Sequence, residues 1–244
     1  MKKENIDKQT KLNMNYFTKT DTLKIVGAIL LVTGLLSLWL GFSFSIIGYL
    51  LGILLTPTGL ILFLVGAAGR VSDENMESYI TNKMAGFEID IDNDKSYRLK
   101  LLKNVKDLSF EGYLFPEGVM LKRLKSGEIR SSSFSRTKIR ILSDRLYIIN
   151  REISLIYDDQ VENRIFEPLY ENIKSIAVVR DQEKITFKKN FYLINTCRLV
   201  ISTDNGEISI PCIDAVTTDE IAENLNRRVT SYLKTLSDTS NENR

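Results

Sequence analysis

IVGAILLVTGLLSLWLGFSFSIIGYLLGILLTPTGLILFLVGAAG, residues 25–69, decides how this chain is built. These 45 residues carry no charged side chain. A bilayer core of about 30 Å is crossed by about 20 apolar helical residues, so the run suits two spans joined by a tight turn. A cleaved signal peptide, with an apolar core of about 7–15 residues, fails on length. Helices in water-soluble cores normally keep a polar face, and this run offers none. The turn falls near GFSFSII (41–47) and is uncharged, whereas Lys2, Lys3, Lys8, Lys11, Lys19 and Lys24 precede the first span and Arg70 follows the second. Basic flanks mark the cytoplasmic side, so both termini of this two-span integral membrane protein are expected there.

Glycine recurs every seven residues in each span, at Gly27, Gly34 and Gly41 and at Gly52, Gly59 and Gly66. In an antiparallel hairpin whose partners share the index sum 93, these form three Gly–Gly levels. Small residues let membrane helices approach closely. Packing within the chain is the preferred reading, and the Gly48–Gly52 pair offers the alternative of packing against a second hairpin. Pro57 is expected to kink the second span. Asp, Glu, Lys and Arg are absent from both spans, which favours an anchor over an ion or proton pathway. A homo-oligomeric pore lined by Thr33, Ser37 and Thr56 is the competing reading.

Composition narrows the chemistry. The chain has no His and two Cys, which excludes His-dependent triads and the usual structural zinc sites. It has no Walker loop, no GxSxG and no GxGxxG, so neither a cofactor nor catalysis is expected. Residues 70–244 carry 27 basic and 28 acidic side chains. A nucleic-acid domain is usually clearly basic, so no nucleic-acid partner is expected. Cys197 and Cys212 face a reducing compartment and need no disulfide.

Beyond Arg70 the pattern changes. SDENMESYITNKM (72–84) reads as a juxtamembrane helix capped by Ser72 or Asp73 and ending near Gly86. FEIDIDND (87–94) alternates apolar and acidic residues and reads as a strand. Its aspartates mimic the start of a calcium loop, but Lys95 and Leu101 replace the required Gly and Glu, so no metal is expected. SFEGYLF (109–115), GVMLKRLK (118–125), TKIRIL (137–142), RLYIIN (145–150) and IFEPLYENIKSIAVV (165–179) supply further strands, with a two-residue turn at Ser143-Asp144. Asn205-Gly206 is the strongest hairpin signal. It would pair Asp204 with Glu207 and Thr203 with Ile208, placing Cys197, Leu199 and Ile201 on one face with Ile208, Ile210 and Cys212. TTDEIAENLNRRVTSYLKTL (217–236) is an amphipathic helix with the stripe Ile221, Leu225, Val229, Leu233 and Leu236. The polar residues 237–244 are expected to be disordered.

KIRILSDRLYII (138–149), FEPLYENIKSIAVV (166–179), LVISTDNGEISI (199–210) and the closing helix together resemble the bacterial and archaeal PH-like, GRAM-like membrane proteins. The resemblance covers residues 118–236. It implies an antiparallel β-barrel or sandwich capped by a C-terminal α-helix, an α+β domain in the cytoplasm of a prokaryotic cell. It further implies binding of lipid headgroups, or of a protein partner, at the membrane surface. The expected layout is a polar tail (1–24), the hairpin (25–69), a juxtamembrane helix with strands (70–117), the PH-like domain (118–236) and the tail (237–244).

Charge supplies the site candidates. Residues 122–151 hold nine basic side chains and two acidic ones, a local balance of +7, whereas 152–183 balance at −5. Lys122, Arg123, Lys125, Arg130, Arg136, Lys138 and Arg140 are therefore the anionic-lipid candidates. Each basic residue near an anionic leaflet contributes about 1 kcal/mol. The competing reading is a solvated strand face matched to the acidic half. In KITFKKNFYLIN (184–195), Lys188, Lys189, Phe191 and Tyr192 suit an interfacial loop. An assembly subunit that oligomerises through the hairpin or a sheet edge is the alternative function.

Overall fold

The computed structural model describes residues 8–19, 21–44, 46–93, 107–187, 190–213 and 215–242. The protein is α+β, with helices first, then a sheet region, then one long helix. It divides into two compact units, Met1–Met76 and Glu77–Arg244.

In the first unit, α1 (Lys8–Thr18) precedes α2 (Thr22–Phe44) and α3 (Ile46–Ala67). Thr22–Gly41 and Ile46–Ala67 are long and apolar enough to cross a membrane, with mean hydropathies of 2.1 and 2.2. Only 11% and 17% of those windows are buried. Leu36, Trp39, Leu54 and Ile61 are all more than half exposed, unlike the side chains of a soluble core helix. The helix α3 runs unbroken through Pro57.

All six heptad glycines sit where the two helix backbones touch. A Cβ on Gly34 would lie 2.6 Å from Thr56 N, one on Gly52 2.6 Å from Leu38 N, and one on Gly66 2.6 Å from Lys24 N. Gly27, Gly41 and Gly59 meet the backbones of Phe63, Tyr49 and Leu31. Every one of these pairs has the index sum 90, not 93. The glycines therefore do not face one another, as the sequence suggested. Each instead meets main-chain atoms of a larger residue of the other helix, so the two backbones approach closely.

Residues 8–18, expected within a polar tail, form α1, which buries Thr10, Asn13, Tyr16 and Phe17. The helix docks on the end of α3. Asn15 Nδ2 donates to Gly69 O at 3.1 Å, Lys19 Nζ to Ala68 O at 2.5 Å and Tyr16 OH to Asp73 Oδ1 at 2.9 Å. Gly69 takes φ +64°, a turn favouring glycine.

The helix α4 (Asp73–Asn93) begins with Asn75 N–H donating to Ser72 Oγ at 3.1 Å, the expected cap. It does not stop near Gly86, and residues 87–93 are helical rather than a strand. Met76, Ile80, Met84 and Phe87 are buried at helical spacing, and extending an existing helix is easier than starting a strand from six alternating residues. Asp94 lies outside the described residues.

Among the described residues, the second unit holds three open antiparallel sheets. Strands β1 (Leu108–Leu114), β4 (Ser133–Ile141), β5 (Leu146–Ser154) and β6 (Val161–Phe166) form one, in the order β1-β4-β5-β6. β2 (Leu121–Arg123) pairs with β3 (Ile129–Ser131). β7 (Ile173–Phe187), β8 (Asn190–Thr203) and β9 (Gly206–Pro211) form the third. The sheets do not close into a barrel. The two larger ones meet at Gly112, where a Cβ would lie 3.0 Å from Pro211 Cβ. Ile139 and Ile148 of the first, Leu199 and Ile201 of the second, and Leu225 and Val229 of α5 (Ala215–Glu242) share one core.

The last hairpin and the closing helix differ from what was expected. The last hairpin turns on Asp204-Asn205, with Thr203 opposite Gly206 and Ile201 opposite Ile208. Thr203 Oγ1 fastens that turn, donating to Gly206 O at 2.8 Å and accepting from Asn205 N–H at 3.2 Å. The register moves by two residues, so every side chain keeps its face. Along α5, the buried positions are Thr218, Ala222, Leu225 and Val229, with Tyr232 beside the core and Leu233 and Leu236 exposed. A four-residue stripe drifts by about 40° per step on a helix of 3.6 residues per turn, so Leu233 has rotated off the sheet. The helix also starts at Ala215, before the threonine caps, and continues to Glu242 through residues expected to be disordered.

Candidate functional site

The basic window is spread over two strand pairs, β2–β3 and β4–β5. Arg130, on β3, is buried, its Nη2 2.5 Å from Glu77 Oε1 and its Nε 3.6 Å from Glu128. Its guanidinium lies 6.0 Å from the Tyr113 ring centroid. Burial pushes the Tyr113 hydroxyl up to about 12, against the lowering effect of Arg130. On β4, Arg136 makes two hydrogen bonds to Glu111 Oε2, at 2.8 and 3.1 Å. Lys138 Nζ and Arg140 Nε lie 3.3 and 2.9 Å from the same oxygen, Oδ2 of Asp107.

Four of the seven lipid candidates thus each face a carboxylate from outside residues 122–151. A charge balance counted along the chain misses partners that arrive from Glu77, Asp107 and Glu111. Lys122 is half-buried; Arg123 and Lys125 are exposed, and no acidic side chain among the described residues pairs with either of those two.

The outer face of β4–β5 is not wet either. Leu146 through Asn150 are buried consecutively, and Phe87 of α4 clusters with Leu142, Tyr147 and Ile149 on that face. Arg151 lies over the Phe87 ring at 4.9 Å. The continuous apolar run LYII was the available signal, since a strand buried on both faces does not alternate. Lys83 fastens α4 in place. Its Nζ donates to Ser154 O and Tyr157 O, each at 3.0 Å, and lies 3.3 Å from Asp158. Tyr79 OH donates to Asp158 Oδ1 at 2.9 Å, which holds that carboxyl below its ordinary range.

The β7–β8 hairpin outruns β9, whose last pair is Arg198 with Pro211. Phe191 and Leu193 are 67% and 62% exposed on its outer part, and Lys184 Nζ lies 4.4 Å over the Phe191 ring. Tyr192 is half-buried opposite Ile185. Lys188 and Lys189 lie outside the described residues. A cleft of about 750 Å³ opens beside this hairpin, bordered by Gly127 and Glu128 of the β2–β3 turn, by Leu193 and by the exposed Ile213. Its charged lining comprises Glu128, Glu152 and Glu183 against Arg164 and Arg198, so the interior is no anion pocket.

Leu193 of the hairpin and Gly127 and Glu128 of the β2–β3 turn thus line one cleft. Cys212 is buried and its thiol is pushed up by desolvation, which leaves it unreactive, and Cys212 N–H donates to Cys197 O at 2.9 Å. Among the described residues, no group of three metal-ligating side chains lies together. No family model matches the chain, and neither a curated protein nor a solved structure does.

Proposed function

We propose that this is a non-enzymatic, membrane-anchored protein with both termini in the cytoplasm, whose sheet domain rests on the anionic bilayer surface. The observation that carries the reading is the cleft mouth. There Leu193 of the β7–β8 hairpin lines one cleft with Gly127 and Glu128 of the β2–β3 turn, Arg123 and Lys125 are exposed on the β2 side of that turn, and Phe191 is exposed farther along the hairpin. Cations with free apolar side chains beside them suit a headgroup–acyl boundary, where the charge meets phosphate and the apolar group enters the first methylenes.

The two apolar helices support the reading, because an anchored domain always has a bilayer within reach. A four-stranded and a three-stranded antiparallel sheet followed by one C-terminal helix is an arrangement in keeping with a PH-like domain. The lipid contact is confined to Arg123, Lys125 and the hairpin. Arg130, Arg136, Lys138 and Arg140 are already occupied by carboxylates and serve the fold.

Flotation of residues 70–244 with vesicles tests the proposal. Binding should rise with phosphatidylserine content, fall with salt, and weaken in an Arg123→Ala, Lys125→Ala variant. Binding indifferent to lipid charge and salt would remove the basis of the reading.

A further inference from the structure

The first sheet ends in β6, and its free edge is written for a second copy of itself. We infer that two chains associate by antiparallel pairing of β6 with β6, centred on Asn163, giving one eight-stranded sheet across a twofold axis.

The strand supplies the groups. Ser154 N–H donates to Gln160 O, and pairing runs on through Glu152–Glu162 and Asn150–Arg164. The even-numbered residues of β6 therefore direct their backbone groups at β5. By alternation Val161, Asn163 and Ile165 direct theirs outward, where no strand lies among the described residues. Val161 and Ile165 are 45% and 56% exposed.

The twofold restricts the register. Paired residues in an antiparallel ladder direct their backbone groups the same way, so self-pairing joins positions of equal parity. Centring on Glu162 sets two carboxylates opposite each other, and centring on Arg164 sets two guanidiniums opposite. Centring on Asn163 joins Val161 to Ile165 twice and Glu162 to Arg164 twice, an apolar and an ionic match at every position. Within one chain Arg164 Nε already donates to Glu162 Oε1 at 2.8 Å, so the pairing would extend an existing ion pair into a four-charge cluster.

The long edge strand β7 shows the opposite design. Its backbone at Ile176 is closed by the Asn226 amide, and Arg180 pairs with Asp219 of α5. Beyond that, self-pairing about Gln182 would set Arg180 against Lys184 and Asp181 against Glu183. Like charges on a bare edge prevent edge-to-edge association. β6 has no such guard.

Full-length protein in detergent tests this, with light scattering for mass and mild oxidation for contact. The wild type should have twice the 27.9 kDa chain mass. Glu162→Arg should halve it, and Glu162→Arg combined with Arg164→Glu should restore it. Directly paired Cα atoms lie about 5.5 Å apart, within disulfide reach. Asn163→Cys should therefore cross-link to a dimer, and Gln182→Cys on β7 should not exceed the wild-type background. A monomeric wild type, an undiminished dimer in Glu162→Arg, or cross-linking at 163 no faster than at 182 would each overturn the inference.

Discussion

Arg140 Nε donates to Asp107 Oδ2 at 2.9 Å from a side chain only 6% exposed, and Lys138 Nζ lies 3.3 Å from that same oxygen. One carboxylate thus serves two cations that the sequence places on a solvent face. Asp107→Asn should destabilise the domain by about 2 kcal/mol, because a buried guanidinium loses its counter-charge. Glu111→Gln, at the more exposed Arg136, should cost about 0.5 kcal/mol. Urea midpoints of the two variants rank them, and equal midpoints would show that Arg140 does not depend on Asp107.

In the hairpin, Gly34 and Gly59 each face the backbone of the other helix, at Thr56 and Leu31. Replacing both by Leu should separate α2 from α3, since the obstructing atoms are main chain and have nowhere to move. Detergent-solubilised protein should lose its cooperative thermal transition or melt at least about 5 °C lower. An unchanged melting temperature would mean that close approach contributes little.

Asn226 holds the β7 edge at both ends of one peptide position, accepting from Ile176 N–H at 3.1 Å and donating to Ile176 O at 2.5 Å. Asn226→Ala leaves both groups unsatisfied beside the core and should cost about 1–2 kcal/mol. Amide exchange at Ile176 should quicken more than at Ile201, which sits in the sheet centre. Uniform acceleration would show a global effect instead.

Tyr113 carries the pH signature. Burial raises its hydroxyl from 10.0 to about 12 in the folded state. The unfolded chain therefore gives up that proton first as pH rises. The stabilisation is complete below pH 10 and is lost between pH 10 and about 12. Stability measured across that window should fall less in Tyr113→Phe than in the wild type, and parallel curves would assign the loss to other groups.

The order of elements was largely legible. The uncharged run 25–69, the alternation in IRIL and the apolar face of the last hairpin depend on near neighbours, and each appears in the fold. The α4 helix over 87–93 was misread because six alternating residues look the same whether a helix already precedes them or not. The hairpin register slipped by two because Asp204-Asn205 and Asn205-Gly206 are both acceptable turns, and both leave the same side chains inside.

The site was less legible for a different reason. A +7 window over 122–151 is a property of the chain, but charge acts through space, at a few ångströms. Glu77, Asp107 and Glu111 come from separate elements to meet Arg130, Arg140 and Arg136, and only folding brings them there. Sequence alone determined the two apolar helices and the faces of the strands, because hydrophobic burial is nearly additive along a periodic segment. Tertiary structure alone decided which cations are spent on the fold, which edge is left open, and which residue each glycine meets, because these depend on distances between segments far apart in the chain.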